Sequence, residues 1–136
     1  MRCCICKKEI KGYGNNAFPA GNSTCCDECN IKVVVPYRLL LRNCEKEDTA
    51  LLVTTNELKL VKPKDKYFTL KELQEAVNGY IELVSEVLPH FLTVVNEEGL
   101  IRKYKFNELA YHLFGLEVYG NALIVPKKIF EKPEDD

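Results

Sequence analysis

Six of the seven cysteines fall within the first 30 residues, in two clusters, CCIC and CCDEC. Cys3 and Cys6 stand at C-x2-C spacing, as do Cys26 and Cys29, and nineteen residues separate the two pairs. Two thiolates with two residues between them can reach one metal ion across a tight turn, at about 2.3 Å for zinc. Two such pairs at this separation are a zinc signature. The spacing therefore predicts one structural Zn²⁺ on Cys3, Cys6, Cys26 and Cys29. Cys4 and Cys25 adjoin these positions and remain open as substitute ligands, at C-x-C or C-x3-C spacing. A disulfide role would require an oxidising compartment. A catalytic thiol would require a lowered pKa and a nearby base. Four cysteine ligands leave no coordination position for water or substrate, so the expected metal is structural rather than catalytic. Cys44, the seventh cysteine, reads as a small buried apolar residue.

The elements that must hold these thiols are legible in the intervening sequence. The stretch KGYGNNAFPAGN is rich in Gly, Asn and Pro, which favour turns, so a small hairpin or loop is expected there. Asp27 and Glu28 follow Cys26 as the first turn of a helix would prefer, because acidic groups and thiolates are stabilised near a helix N-terminus. Knuckle, loop and a second pair on a helix start is the treble-clef order. Pro36, in VVVPYRLLLRN, should end or kink that helix and begin a new turn. A segment of this size cannot bury enough surface to fold alone, so the metal would supply the missing folding free energy.

Charge divides the chain in the same place. Residues 1–44 carry seven Lys/Arg against three Asp/Glu, and residues 45–136 carry twelve against seventeen. Lys7, Lys8, Lys11, Lys32, Arg38 and Arg42 give the first part a basic bias. Four thiolates on one Zn²⁺ would lower it, leaving less than a dedicated DNA binder shows. The whole chain has 136 residues, 46% of them hydrophobic and 29% charged, a globular composition. It has no apolar run near the roughly 20 residues a membrane span needs, and cysteines stand where a signal peptide would carry its apolar region. A cytoplasmic protein with no membrane partner is expected.

The polar stretch at 44–49 is the expected boundary, giving a zinc-binding module at 1–44, a small domain at 50–130 and an acidic tail at 131–136. In the domain, ALLVTT and LKLVKP read as strands joined by a turn at 55–57. TLKELQEAVNG is the clearest helix: Thr69 caps it, Glu72 completes a capping box, and Leu70, Leu73, Ala76 and Val77 make its apolar face. Gly79 is its expected left-handed stop. YIELVSE alternates as a strand. FLTVV and LIRKYKF are expected to form a hairpin about NEEG. Asn107 should cap a short helix, ELAYHLF, ended by Gly115, and ALIVP is a final buried strand. The expected fold class is α+β: a treble-clef-like zinc module plus a small, mostly antiparallel sheet with one long and one short helix.

Two stretches resemble known families. CCICKKEIKGYGNNAFP, then CCDECN, is similar to short cysteine-rich segments in small proteins of Gram-positive bacteria and their phages, which run CCICGK-x-I-x-GYGNNA-x-P and then CCD-x-CN. LQEAVNGYIELV, LTVVNEEGLIRKYKFN and YGNALIVP resemble an uncharacterised domain family common in phages and mobile elements, with GGYIE, VVNEEG and G-x-A-x-IV as its signature. Together they cover most of the chain, and Asn78 replaces the first Gly of GGYIE. The resemblance implies a phage or mobile-element origin. It implies no particular activity, because the family is known only as a domain of unknown function.

Polar residues at element ends form a second candidate site: Asn78, Gly79, Tyr80, Glu82, Asn96, Glu97, Glu98, Asn107, Gly120 and Asn121. Gathered by the sheet, their amides, hydroxyl and backbone N–H groups could recognise a base, a ribose or a phosphate. The same residues are also what turns require. His90 and His112 read as structural, since the zinc set is complete without them. Tyr104, Phe106, Tyr111 and Tyr119 read as core rather than as a stacking platform. No Ser-His-Asp order, phosphate-binding loop or dinucleotide fingerprint is present. The expected function is non-catalytic: an accessory protein that binds and modulates a host protein, counter-defence being one possibility. The alternatives are a nucleic-acid-binding regulator using the basic zinc face and a small-nucleotide-binding or sequestering protein using the Asn-rich pocket. Homodimerisation through strand edges is open.

Overall fold

The structure, a computed structural model, describes residues 1–42, 49–84 and 91–130. Most of the expected boundary stretch, Cys44, the last two residues of YIELVSE, His90 and the 131–136 tail lie outside the described residues. The first part contains β1 (Asn15–Asn16) and β2 (Thr24–Cys25), paired antiparallel, then α1 (Asp27–Cys29), a π-helical turn (Asn30–Val34) and α2 (Val35–Arg42). The second part contains β3 (Ala50–Val53), β4 (Leu58–Val61), α3 (Leu70–Val77), β5 (Ile81–Val84), β6 (Phe91–Asn96), α4 (Glu108–Phe114), β7 (Ala122–Pro126) and α5 (Lys127–Phe130). This is the α+β class expected, with a hairpin and a helix start carrying the second cysteine pair.

The apolar runs set the sheet order. ALLV, FLTVVN and ALIVP are nearly unbroken, as strands covered on both faces require. They lie together in the interior of a five-stranded sheet ordered β4-β3-β7-β6-β5, with every neighbouring pair antiparallel. Alternation then sorts side chains between two cores. Leu51, Val53, Val95, Ala122 and Ile124 face the cysteine-rich part and α4. Ala50, Val94, Leu123 and Val125 face α3 and α5, meeting Leu73, Val77 and Ile129. The cysteine-rich part therefore belongs to the protein's larger core: Cys3, Ile10, Cys29, Val33, Val34 and Leu40 are buried in one cluster with the sheet residues of that face.

Local signals explain the helices. Thr69 Oγ1 accepts from the Glu72 N–H at 3.1 Å, and Glu72 Oε1 accepts from the Thr69 N–H at 3.0 Å, completing the capping box. That backbone donor, with a second from Lys64, holds the Glu72 carboxyl below its ordinary pKa. The left-handed stop falls on Asn78 (φ 64°) rather than on Gly79; Asn tolerates this region because its polar side chain is short. Leu70, expected on the buried face, is exposed. Pro36 causes no break. The π-helical turn precedes it, the Val35 N–H bonds back to the Asn30 carbonyl, and α2 continues through the proline in its first turn, where a missing N–H is tolerated.

One expectation fails for a tertiary reason. LIRKYKF does not pair with β6, because both edges of β6 are already taken by β5 and β7. The chain instead winds through turns, with Arg102 N–H to the Glu98 carbonyl, Tyr104 N–H to the Gly99 carbonyl, and Lys103 at φ 60°. Phe106 makes only an isolated bridge with Tyr119. The residues after ALIVP form α5, whose Ile129 seals the smaller core and accepts a backbone hydrogen bond from Phe68.

Asn107 joins three of these pieces. It is fully buried; its Oδ1 accepts from the Ala110 N–H at 2.9 Å, and its Nδ2 donates to the carbonyls of Val53 at 2.9 Å and Gly120 at 2.8 Å. Asn107→Ala removes a helix cap and orphans buried backbone groups, so it should cost about 3 kcal/mol. Asn107→Asp keeps the cap but turns an acceptor toward two carbonyls, and should be destabilised as well. Urea unfolding of the three proteins checks this; an alanine variant within about 0.5 kcal/mol of the parent would show that the amide carries no such weight.

Candidate functional site

The knuckle that presents the first cysteine pair is built by its own backbone. Cys3 N–H bonds to the Lys8 carbonyl at 2.9 Å and Lys7 N–H to the Cys3 carbonyl at 3.0 Å, which closes a turn around Cys3 and Cys6. Lys7 sits at φ 68°, and its Nζ reaches the Cys4 carbonyl at 2.8 Å. Cys4 N–H bonds to the Thr24 carbonyl at 3.0 Å, fastening the knuckle to β2. On the other side, Cys26 is the N-cap of α1, and its Sγ accepts from the Cys29 N–H at 3.4 Å. Helix geometry thus places Cys26 and Cys29 one turn apart on the same side.

The result is a compact four-sulfur group. The Sγ atoms of Cys3, Cys6, Cys26 and Cys29 all lie within 4.8 Å of one another, so they could hold a metal ion. The Cys6 and Cys26 sulfurs are 3.8 Å apart. Cys3 and Cys29 are buried, and Cys6 and Cys26 lie nearer the surface. Electrostatics gives the group an anionic bias at one end and resists it at the other. Burial raises the Cys3 thiol, but N–H donors from Cys6, Cys26 and Ile5 outweigh that and bring it down to about 6. Ile5 and Cys6 N–H each stand 3.4 Å from its sulfur. Burial pushes the Cys29 thiol far up, and the neighbouring Cys26, Cys6 and Cys3 thiols push it further. Cys6 is also raised, first by burial. Four such sulfurs ionise together only around a cation, and that donor set fits a tetrahedral, thiophilic ion.

Cys4 and Cys25 do not join the group. Cys25 is fully buried, and burial, followed by the nearby Cys3, Cys4 and Cys26, raises its thiol to about 11. Of the six basic positions, Arg38 works within the fold: its guanidinium donates to the Phe18 carbonyl at 2.9 Å and the Asn16 carbonyl at 2.7 Å, clamping the β1–β2 loop to α2. Lys32 pairs with Glu28 at 3.9 Å. Lys8 lines a cleft with Lys32, Lys105 and His112 between the cysteine-rich part and the sheet domain. Lys11 and Arg42 are exposed. His112 had no pairing signal in the sequence, yet its Nε2 lies 2.7 Å from the Ala20 carbonyl, linking α4 to the cysteine-rich part.

The Asn-rich turns are brought together, but mostly onto backbone. The final carbonyls of α3 have no partner within the helix. Asn121 Nδ2 donates to the Ala76 carbonyl at 3.0 Å and Asn96 Nδ2 to the Val77 carbonyl at 2.8 Å. Asn96 Oδ1 also accepts from the Glu98 N–H at 2.7 Å. Gly79 passes so close to Asn96 that a Cβ there would meet Nδ2 at 2.8 Å. The Asn78 carbonyl lies 3.4 Å from the Tyr104 hydroxyl, Glu98 pairs with Arg102 at 3.3 Å, and Gly120 N–H bonds to the Lys105 carbonyl. Tyr80 is exposed. Glu82, Asn96 and Glu97 share a shallow groove with Glu117, which lies between α4 and β7 and has no local sequence signal that groups it with them.

Among the described residues, no helix is long and apolar enough to cross a membrane. Neither the curated proteins nor the solved structures contain a match to the chain. A family profile described as a domain of unknown function, DUF3846, matches residues 49–130, the span from the residue before β3 to the end of α5. The chain therefore belongs to the DUF3846 family, and carries in front of that domain a four-cysteine cluster able to hold a metal ion.

Proposed function

We propose that this is a non-catalytic accessory protein of a phage or mobile element, held together by one structural Zn²⁺. In the cytoplasm of a bacterial host it binds a host protein and modulates it, counter-defence being one form of such action. The observation that carries the non-catalytic reading is the placement of the four sulfurs. They would fill a tetrahedral coordination sphere, and they lie against the larger core of the protein, so the metal staples a surface rather than opening onto a substrate. The zinc reading is supported by the paired C-x2-C spacing, and the 3.8 Å separation of the Cys6 and Cys26 sulfurs fits the edge of about 3.8 Å that Zn–S bonds of about 2.3 Å would make. The phage or mobile-element origin rests on the resemblance of the CCIC, CCDECN and VVNEEG segments.

The rival readings have less support. The amides of Asn96, Asn107 and Asn121 already donate to backbone carbonyls, which leaves little of the Asn-rich region for a nucleotide. Arg38 and Lys32 are engaged within the fold, which weakens the basic face as a phosphate-binding surface. Exposed apolar side chains at Tyr80, Leu83, Leu100 and Ile101 suit contact with a protein better.

Metal analysis of protein purified without chelator should find about one zinc per chain. Cys29→Ser and Cys3→Ser should lose it, whereas Cys4→Ser should retain it; a Cys29→Ser protein that keeps full zinc would refute the ligand set. Stripping the metal should lower the melting temperature of the whole chain, because the cysteine-rich part and the sheet share a core. The functional reading is checked by affinity capture from a bacterial host lysate with mass spectrometry. One host protein should be retained specifically, and capture should fail after chelation. Turnover of a substrate that one residue change abolishes would overturn it.

A further inference from the structure

The sheet ends at β5, whose outer edge pairs with no strand among the described residues. An open edge offers unpaired N–H and C=O groups to another chain, and natural edges are commonly blunted by Lys, Pro or a bulge. β5 is only four residues long and carries one charge, Glu82, but IELV holds no Lys or Pro, and Leu83 beside the glutamate is half exposed. A groove of about 250 Å³ adjoins this edge. Val84, Val95 and Val118 line it with apolar surface, and Leu100 stands beside them, two-thirds exposed. Glu82, Glu97 and Glu117 also line it, and no Lys, Arg or His does. None of these three carboxylates has an ion-pair or hydrogen-bond partner among the described residues, although cations are plentiful elsewhere in the chain.

Apolar surface beneath unpaired carboxylates is complementary to a particular side chain. Lys and Arg lay an aliphatic stem on apolar surface while the charged head stays among acceptors. The groove is also below the roughly 300 Å³ at which small-molecule sites begin, so it suits one long side chain better than a free ligand. An extended segment added beside β5 would place a side chain next to Glu82, since cross-strand neighbours on one face meet. We propose that the outer edge of β5 and the adjoining groove bind an extended basic segment of a partner protein, which pairs as a sixth strand and seats a Lys or Arg in the groove among Glu82, Glu97 and Glu117. This rests on the reading of the protein as a host-binding accessory, and it names the chemistry of the partner.

The test is calorimetric titration of the full chain with a terminally blocked nonapeptide of alternating Val and Lys. Three comparisons accompany it: the Val/Glu counterpart, the Val/Lys peptide N-methylated at alternate residues, and the folded triple variant Glu82→Gln/Glu97→Gln/Glu117→Gln. The Val/Lys peptide should bind and weaken at high salt. The Val/Glu and N-methylated peptides should not bind, and the triple variant should bind about tenfold more weakly, as three partly screened charges allow. No binding of the Val/Lys peptide, equal binding of the Val/Glu or N-methylated peptide, or an undiminished triple variant would overturn the proposal. So would a wild-type dimer dissociated by Leu83→Lys in sedimentation, because a second copy would then own the edge. A host protein captured equally well by wild type and triple variant would reject this groove and leave the accessory reading standing. A wild-type protein that binds the peptide but captures no host protein would reject the accessory reading alone.

Discussion

Four thiol sulfurs within 4.8 Å of one another can be held close and ionised only if a cation sits among them. The rest of the cysteine-rich part is arranged around that constraint. Backbone N–H groups point at the Cys3 and Cys26 sulfurs, the knuckle is tied to β2, and α1 starts where the second pair needs it. The constraint extends into the domain behind it. Leu51, Val53 and Ile124 of the sheet are buried in the same cluster as Cys3, Cys25, Cys29, Val33 and Val34. One face of the sheet is therefore covered by a segment too small to hold its own shape. A metal bound by the four sulfurs would therefore link the shape of the cysteine-rich part to the burial of that sheet face in one equilibrium.

The opposite face needs no metal because its trusses are amides. Asn121 and Asn96 each donate to a terminal carbonyl of α3, Ala76 and Val77 respectively; on the cysteine-rich face a third amide, Asn107, joins the end of β3 and the Gly120 carbonyl ahead of β7 to the start of α4. The Asn positions within VVNEEG and GNA therefore have a structural account that requires no ligand. Asn121 satisfies a part-buried carbonyl and Asn96 a buried one, whose orphaning would cost on the order of 1–3 kcal/mol. This separates what the motif does for the fold from what the fold then exposes.

Features governed by short-range chemistry were readable in the sequence. The paired C-x2-C spacings, the Thr69–Glu72 capping box, the Asn107 cap and the β3–β4 turn each depend on residues within a few positions of one another. Features decided by competition at long range were not. LIRKYKF alternates like a strand, but whether it pairs depends on whether β6 has a free edge, and β5 and β7 had already filled both. The α3 stop falls on Asn78, while Gly79 leaves room for the Asn96 amide that passes against it. Arg38, His112 and Glu117 carried no local signal, since their partners lie 20 or more residues away in the chain.

Strand order also gives the molecule a direction. α2 and the π-helical turn pack against β3 and β4 at one end of the sheet, so the Lys- and Arg-bearing segment lies on that side. β5 closes the other end, where Glu82, Glu97 and Glu117 gather without cations. Had β5 and β4 exchanged places, the basic segment would lie beside those carboxylates and neutralise them internally. Keeping them apart leaves three exposed carboxylates without a cation over an apolar floor, a charge of one sign. The cysteine-rich part packs against β3 and β4, and β5 closes the sheet at the other end, so unpaired backbone and unpaired carboxylates meet at the β5 edge.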